Sequence, residues 1–144
     1  GTDSNTHAYC SGGYMPSLTT SRDKFSHASS NSTVAQGDLS VAKGTAAGQS
    51  STTSGYAAGG YISAPYNRID RHAFNSDSTA TDIGVLTVTR SAAAGSSSTT
   101  QGFTSGGKLP DVNTIDKFSF ASDANATDHG DLFSTISEIG GHQV

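Results

Sequence analysis

The chain has 144 residues, enough for one domain with a modest core. Apolar residues make up 33%, aromatics 8% and charged residues 14%, with a net charge of -4, which excludes both the strongly charged composition of a disordered tail and the basic face of a nucleic-acid binder. No run approaches the roughly 20 apolar residues of a helical membrane span, and a lone cysteine, Cys10, excludes an internal disulfide framework. With no apolar leader and no initiator Met, the sequence reads as a processed product or a piece of a longer one.

The first predicted element, "AYCSGGY" from Ala8, is echoed by "GYAAGGY" from Gly55 and "GFTSGGK" from Gly102. The double glycines Gly12-Gly13, Gly59-Gly60 and Gly106-Gly107 are 47 residues apart both times. Tyr9, Tyr56 and Phe103 precede them by three residues. Asp23, Asp70 and Asp116 follow, the last one residue early. Phe25, His72 and Phe118 lie two residues beyond those aspartates, and Leu39, Leu86 and Leu132 also keep step. Such agreement in three registers marks a duplicated unit. Gly1 aligns with Gly48, Gly95 and Gly141. The chain therefore divides into units of about 1–47, 48–94 and 95–140, with 141–144 opening a fourth phase, as one repeat domain.

Within a unit, the strand before the glycines carries its aromatic on the face opposite the first glycine, where it can pack between sheets. The glycines themselves predict positive φ or a close backbone approach. "RHAF" (Arg71 to Phe74) and "DKFSF" (Asp116 to Phe120) alternate as strands, so Tyr56, Phe74 and Phe120 are expected to be buried between sheets. "SDSTATDIG" and "SDANATDHG" read as turns. "VLTVTR" (Val85 to Arg90) reads as a β-branched strand. The segment from Arg90 to Gly107 predicts two small-residue strands joined near Ser97 to Gln101. Its alanine runs are too short for a helix. The expected fold is all-β, with four strands per unit.

The unit resembles the kelch repeat of β-propellers. Lys43 and Arg90 each lie 16 residues before a double glycine. Asp116-Lys117-Phe118 is similar to the third-strand region, and "GDLSVAK" and "GVLTVTR" are similar to the fourth strand. The resemblance implies three four-stranded blades in a propeller-like assembly, with a repetitive β-fibre or solenoid as the alternative. The unit departs from the pattern by lacking the large aromatic near strand four, where the leucines stand, and by Ile136 in place of a basic residue. Phrases such as "NTIDKFSFASDANATDHGDL" and "AAGSSSTTQGFTSGG" are also similar to kelch-like arrays in marine bacteriophage proteins, those of cyanophages in particular. That resemblance implies a non-enzymatic structural or host-contact role on a virion or in an extracellular assembly.

The most site-like stretch holds Asp123, Asn125, Asp128 and Asp131, hard oxygens suited to Ca²⁺, but it lacks the closing bidentate Glu and its equivalents in unit one are Ser and Ala. An Asx-turn network is the simpler reading, and no metal or cofactor is expected. His7, His27, His72, His129 and His142 form no metal-ligand spacing. His72 stands in the Phe25 and Phe118 position, so it reads as a packed side chain. Cys10 reads as small and partly buried. No nucleophile elbow or phosphate loop is present. Tyr61, Tyr66 and Asn67 are candidate glycan contacts in a loop, the basis of an alternative lectin-like reading. Three blades are fewer than a closed ring uses. The terminal units are expected to expose apolar faces around Tyr9 and Ile136. The expected partners are therefore a second copy, in a dimeric six-blade ring or a head-to-tail assembly, other virion proteins, or a host surface glycan.

Overall fold

A computed structural model describes residues 1–14 and 16–141. His142 and the rest of the fourth phase after Gly141 lie outside the described residues. Twelve strands form three four-stranded antiparallel sheets, one per repeat. The first holds β1 (Thr2–Asp3), β2 (His7–Ser11), β3 (Arg22–Ser26) and β4 (Val34–Gln36). The second holds β5 (Ala47–Ser50), β6 (Ser54–Ala58), β7 (Tyr66–Ala73) and β8 (Thr81–Arg90). The third holds β9 (Ala94–Ser97), β10 (Gln101–Ser105), β11 (Thr114–Ser119) and β12 (Thr127–Asp131). Strands are hydrogen-bonded in chain order within each sheet. The architecture is all-β, and the units are arranged as three blades of a propeller-like assembly.

The double glycines do what their backbone freedom predicts. Gly12, Gly59 and Gly106 have φ of 66°, 64° and 63°, and Gly13, Gly60 and Gly107 have φ of 126°, 110° and 119°. Side chains rarely adopt such values. The second glycine of each pair donates its N–H across the unit, to Lys43 O at 3.0 Å, Arg90 O at 2.9 Å and Ile136 O at 2.8 Å. The first lies under a leucine: a Cβ there would sit 3.2 Å from Leu39 Cδ1, 3.2 Å from Leu86 Cδ1 or 3.3 Å from Leu132 Cδ1. The turn therefore ends the second strand and ties it to the end of the unit.

A second glycine set governs how units meet. A Cβ on Gly48 would overlap the Gly1 carbonyl, one on Gly95 the Gly48 carbonyl, and one on Gly141 the Gly95 carbonyl. The first strands thus touch backbone to backbone along a ladder with one rung per unit. Hydroxyls reinforce it. The Asp3 N–H donates to Ser50 Oγ at 2.8 Å, and the Ser50 N–H donates to Ser97 Oγ at 2.9 Å.

Four expectations need correcting. The fourth strand is shifted in units one and three, whereas in unit two β8 contains the expected Val85–Arg90. In unit one it is Val34–Gln36, and "GDLSVAK" beyond it is not a strand. In unit three it is Thr127–Asp131, so the second half of the supposed turn "SDANATDHG" is strand. Tyr9 does not face outward: it is 2% exposed and packs on unit two, while Phe25 marks the open face of unit one. Cys10, on the other side of β2 from Tyr9, is exposed. Phe74 and Phe120 are only half-buried, although both stack in the interfaces as expected.

Candidate interaction surfaces

The two internal interfaces are built from equivalent positions but different chemistry. Between units two and three, Tyr56, Ala58, Ile69, Ile83 and Leu86 pack against Phe118 and Ala126 in one apolar cluster. The Tyr56 ring stacks on Phe120 at 4.6 Å and meets Phe118 edge-on at 5.5 Å. Between units one and two, Tyr9 stacks on Phe74 at 4.9 Å and lies 5.5 Å from His72. There Arg22 stands where unit two has Ile69, and His72 stands where unit three has Phe118. His72 is 3% exposed, and burial, helped by the Arg22 charge, pushes its pKa down to about 3. The packed-histidine reading therefore holds.

The repeated basic residue and the repeated aspartate form a clamp across each internal boundary. Arg90 Nη2 donates to Asp116 Oδ2 at 2.9 Å, and its Nη1 donates to the carbonyls of Thr114 at 2.8 Å and Gly106 at 3.0 Å. Asp116 also accepts from the Thr87 N–H at 2.9 Å and the Thr87 hydroxyl at 2.6 Å. Lys43 repeats the arrangement one unit earlier. Its Nζ donates to Ala57 O at 2.9 Å and lies 3.5 Å from Asp70 Oδ2, while Asp70 accepts from Ser40. All four side chains in these ion pairs are fully buried. Burial pulls the Lys43 and Arg90 pKa values down, and the aspartates oppose the shift. Asp23, the third member of the series, forms no ion pair among the described residues and is only partly buried. These residues hold the units together.

The acidic stretch in unit three is occupied by structural bonds. Asp123 pairs with Arg71 across the unit boundary. Asn125 Oδ1 accepts from the Val85 N–H at 3.2 Å, and Asp128 Oδ1 accepts from the Gly130 N–H at 2.9 Å, as an Asx turn does. Asp131 is exposed on β12. Among the described residues, no group of three or more His, Cys, Asp or Glu side chains is gathered tightly enough to hold a metal ion.

A polar groove of about 270 Å³ crosses the first hairpins of all three units at Ser4, Ser51 and Ser98. Its hydroxyls are committed to their own turns. Ser4 Oγ accepts from the His7 N–H, Ser51 Oγ from the Ser54 N–H and Ser98 Oγ from the Gln101 N–H, at 3.0, 3.0 and 3.1 Å. On the loop after the second strand, Tyr61 is 38% exposed and pairs by an isolated bridge with Pro65. Tyr66 and Asn67, expected in that loop, instead open β7; Tyr66 lies half-buried 5.6 Å from Lys43 Nζ, a cation–π contact, and Asn67 is half-buried beside it. Tyr14, the unit-one equivalent of Tyr61, is 76% exposed. Sequence reasoning did not single it out, although the spacing of 47 places it in register.

Fold and surfaces define a repeat protein of three four-stranded antiparallel β-units joined by buried ion-pair clamps. No protein-family model matches the chain, and no curated protein matches it either.

Proposed function

We propose that the chain is a non-enzymatic structural or host-contact component of a virion, of the kelch-like type found in marine bacteriophages, or of a comparable extracellular assembly. It works by association of its terminal faces, with a second copy or with other virion proteins. One observation carries the reading. Phe25 is 38% exposed, whereas its equivalents His72 and Phe118 are 3% and 2% exposed because a preceding unit covers them. The far end is complementary. A Cβ on Gly130 of β12 would meet nothing within 4 Å, while the matching Gly84 is covered by the backbone at Ala124. Phe103, the counterpart of Tyr56, has His129 of its own unit as its ring neighbour at 5.4 Å. Each terminal face thus offers one half of an interface that the chain completes twice internally.

A second copy can join the face of unit three to the face of unit one, closing a six-blade ring or continuing head to tail. Sedimentation of the chain and of Phe25→Glu is the test. Association at micromolar concentration, weakened by the substitution, supports the reading. A stable, folded monomer overturns self-association. A glycan-binding module is the second reading, favoured by the repeated exposed rings of Tyr14 and Tyr61. Retention on a glycan array that is lost in Tyr61→Ala would select it.

A further inference from the structure

The interface between units one and two encloses three polar groups that nothing among the described residues satisfies. Arg22 is 1% exposed, and its Nε, Nη1 and Nη2 lack hydrogen-bond partners. Ser11 Oγ and His72 Nδ1 are buried and equally unpartnered. Ser11 lies directly opposite Arg22 in the β2–β3 pair, so both side chains leave the same face of the sheet. Tyr9, two residues before Ser11, shares that face and brings it against His72. Each of the three has an apolar equivalent in the next interface. Ala58 replaces Ser11, Ile69 replaces Arg22 and Phe118 replaces His72. These three polar residues therefore occur together in one interface, while the next leaves only Gln49 Oε1 and Arg90 Nε unpartnered.

Charge makes this costly. Arginine does not shed its proton in a protein, and an unpaired buried charge is strongly unfavourable. The other buried cations, Lys43 and Arg90, each have an aspartate. Among the described residues no carboxylate oxygen lies within ion-pair distance of Arg22; Asp38 and Asp77 act on it only through space.

We propose that this interface binds a small monovalent anion of the halide class, held by the Arg22 guanidinium, the Ser11 hydroxyl and the His72 Nδ1–H. The tautomer is consistent: with the proton on Nδ1, Nε2 can accept from the Thr2 hydroxyl 3.3 Å away. Charge balance selects a single negative charge, since a divalent anion would leave an excess in a closed site. Closure from water selects an ion of one atom, taken up as the two units pack.

The test is thermal unfolding in sodium chloride against sodium gluconate at equal ionic strength, together with anomalous diffraction from crystals grown in bromide. The expected result is a Tm that rises with log chloride concentration, and a bromide peak within contact of Arg22. Arg22→Ile, which copies Ile69, should fold and lose the chloride dependence. Ser11→Ala should weaken it, and serves if Arg22→Ile does not fold. Equal Tm in the two salts overturns the proposal, as does a chloride effect that survives both substitutions or occurs without a bromide peak at Arg22. A bromide peak without a thermal effect marks an adventitious ion only, and also overturns it.

Discussion

Replacing Asp116 by Ala removes the acceptor from a clamp whose cation cannot leave. Arg90 and Asp116 are both fully buried, and their contact is 2.9 Å. After the substitution Arg90 keeps the carbonyls of Gly106 and Thr114 but loses the carboxylate bonded to its Nη2, and Asp128 acts on it only through space. Removing one partner of a buried pair costs about 3–5 kcal/mol, because the remaining charge is left uncompensated. Asp116→Ala should therefore lose a large share of the roughly 5–15 kcal/mol that holds a typical domain together. The companion variant Arg90→Met with Asp116→Leu removes both charges. The freed Thr87 groups sit on an exposed residue and can turn to water. Its net cost should lie below that of Asp116→Ala, since replacing a buried pair by apolar groups is often neutral, and what remains, about 1–3 kcal/mol, is set by the Gly106 and Thr114 carbonyls that lose the Arg90 donor. Urea unfolding at pH 7 measures both through the midpoint at constant slope. The clamp argument fails if Asp116→Ala costs under about 1 kcal/mol, or if the double variant costs as much as the single one.

Phe118→Ala should cost about 3–5 kcal/mol, because Phe118 is 2% exposed in the apolar cluster, whereas Phe74→Ala should cost about half as much since that ring is half-buried; the same urea experiment ranks them, and equal losses would show the faces misassigned. Stability should fall in acid through His72. Its folded pKa of about 3 lies below the ordinary 6.5, so between those values the unfolded chain binds a proton that the folded chain refuses. The contribution is intact above pH 6.5 and is lost progressively towards pH 3, with a ceiling of about 4–5 kcal/mol; His72→Phe should remove that slope, as measured by Tm against pH in chloride-free buffer. Chelation should leave Tm unchanged, because Asp123, Asn125 and Asp128 already bond to Arg71, Val85 and Gly130; a fall of many degrees in EDTA would contradict this.

The repeat and its turns were legible because they are demands of the backbone. Positive φ at Gly12-Gly13 and its two copies is satisfied by few residues, so the phrase recurs. The aromatic before it was legible for the same reason, as one large group per strand able to fill the space between sheets. The fourth strand was legible only as Val85–Arg90 in unit two, because its limits depend on pairing. The β7–β8 and β11–β12 ladders shift register at Ile69/Asp70 and Ile115/Asp116, and local composition carries no trace of this. Gly1, Gly48, Gly95 and Gly141 were visible as an aligned set, but their use as contact points required knowing which strands touch. Arg22 was visible too, one residue before Asp23 and aligned with Ile69 and Ile115. An arginine in an isoleucine register was the available signal for the polar interface. Its burial could be seen only once unit two lay over it.

The unequal interfaces set how the chain comes apart. In a row of units that touch only their neighbours, stability is a sum of unit terms and coupling terms. The coupling between units two and three rests on an apolar cluster built around Phe118 and Tyr56. That between units one and two spans Arg22 and His72, and its apolar part is the Tyr9–Phe74 stack and the small set of Leu39, Ala57 and Ala80. Unit one is therefore the weakly coupled end of the row, and units two and three form a cooperative pair. Amides in β2 and β3 should exchange with solvent through a partial opening that leaves β6, β7, β10 and β11 protected, so the native ensemble contains a two-unit state as its lowest excursion.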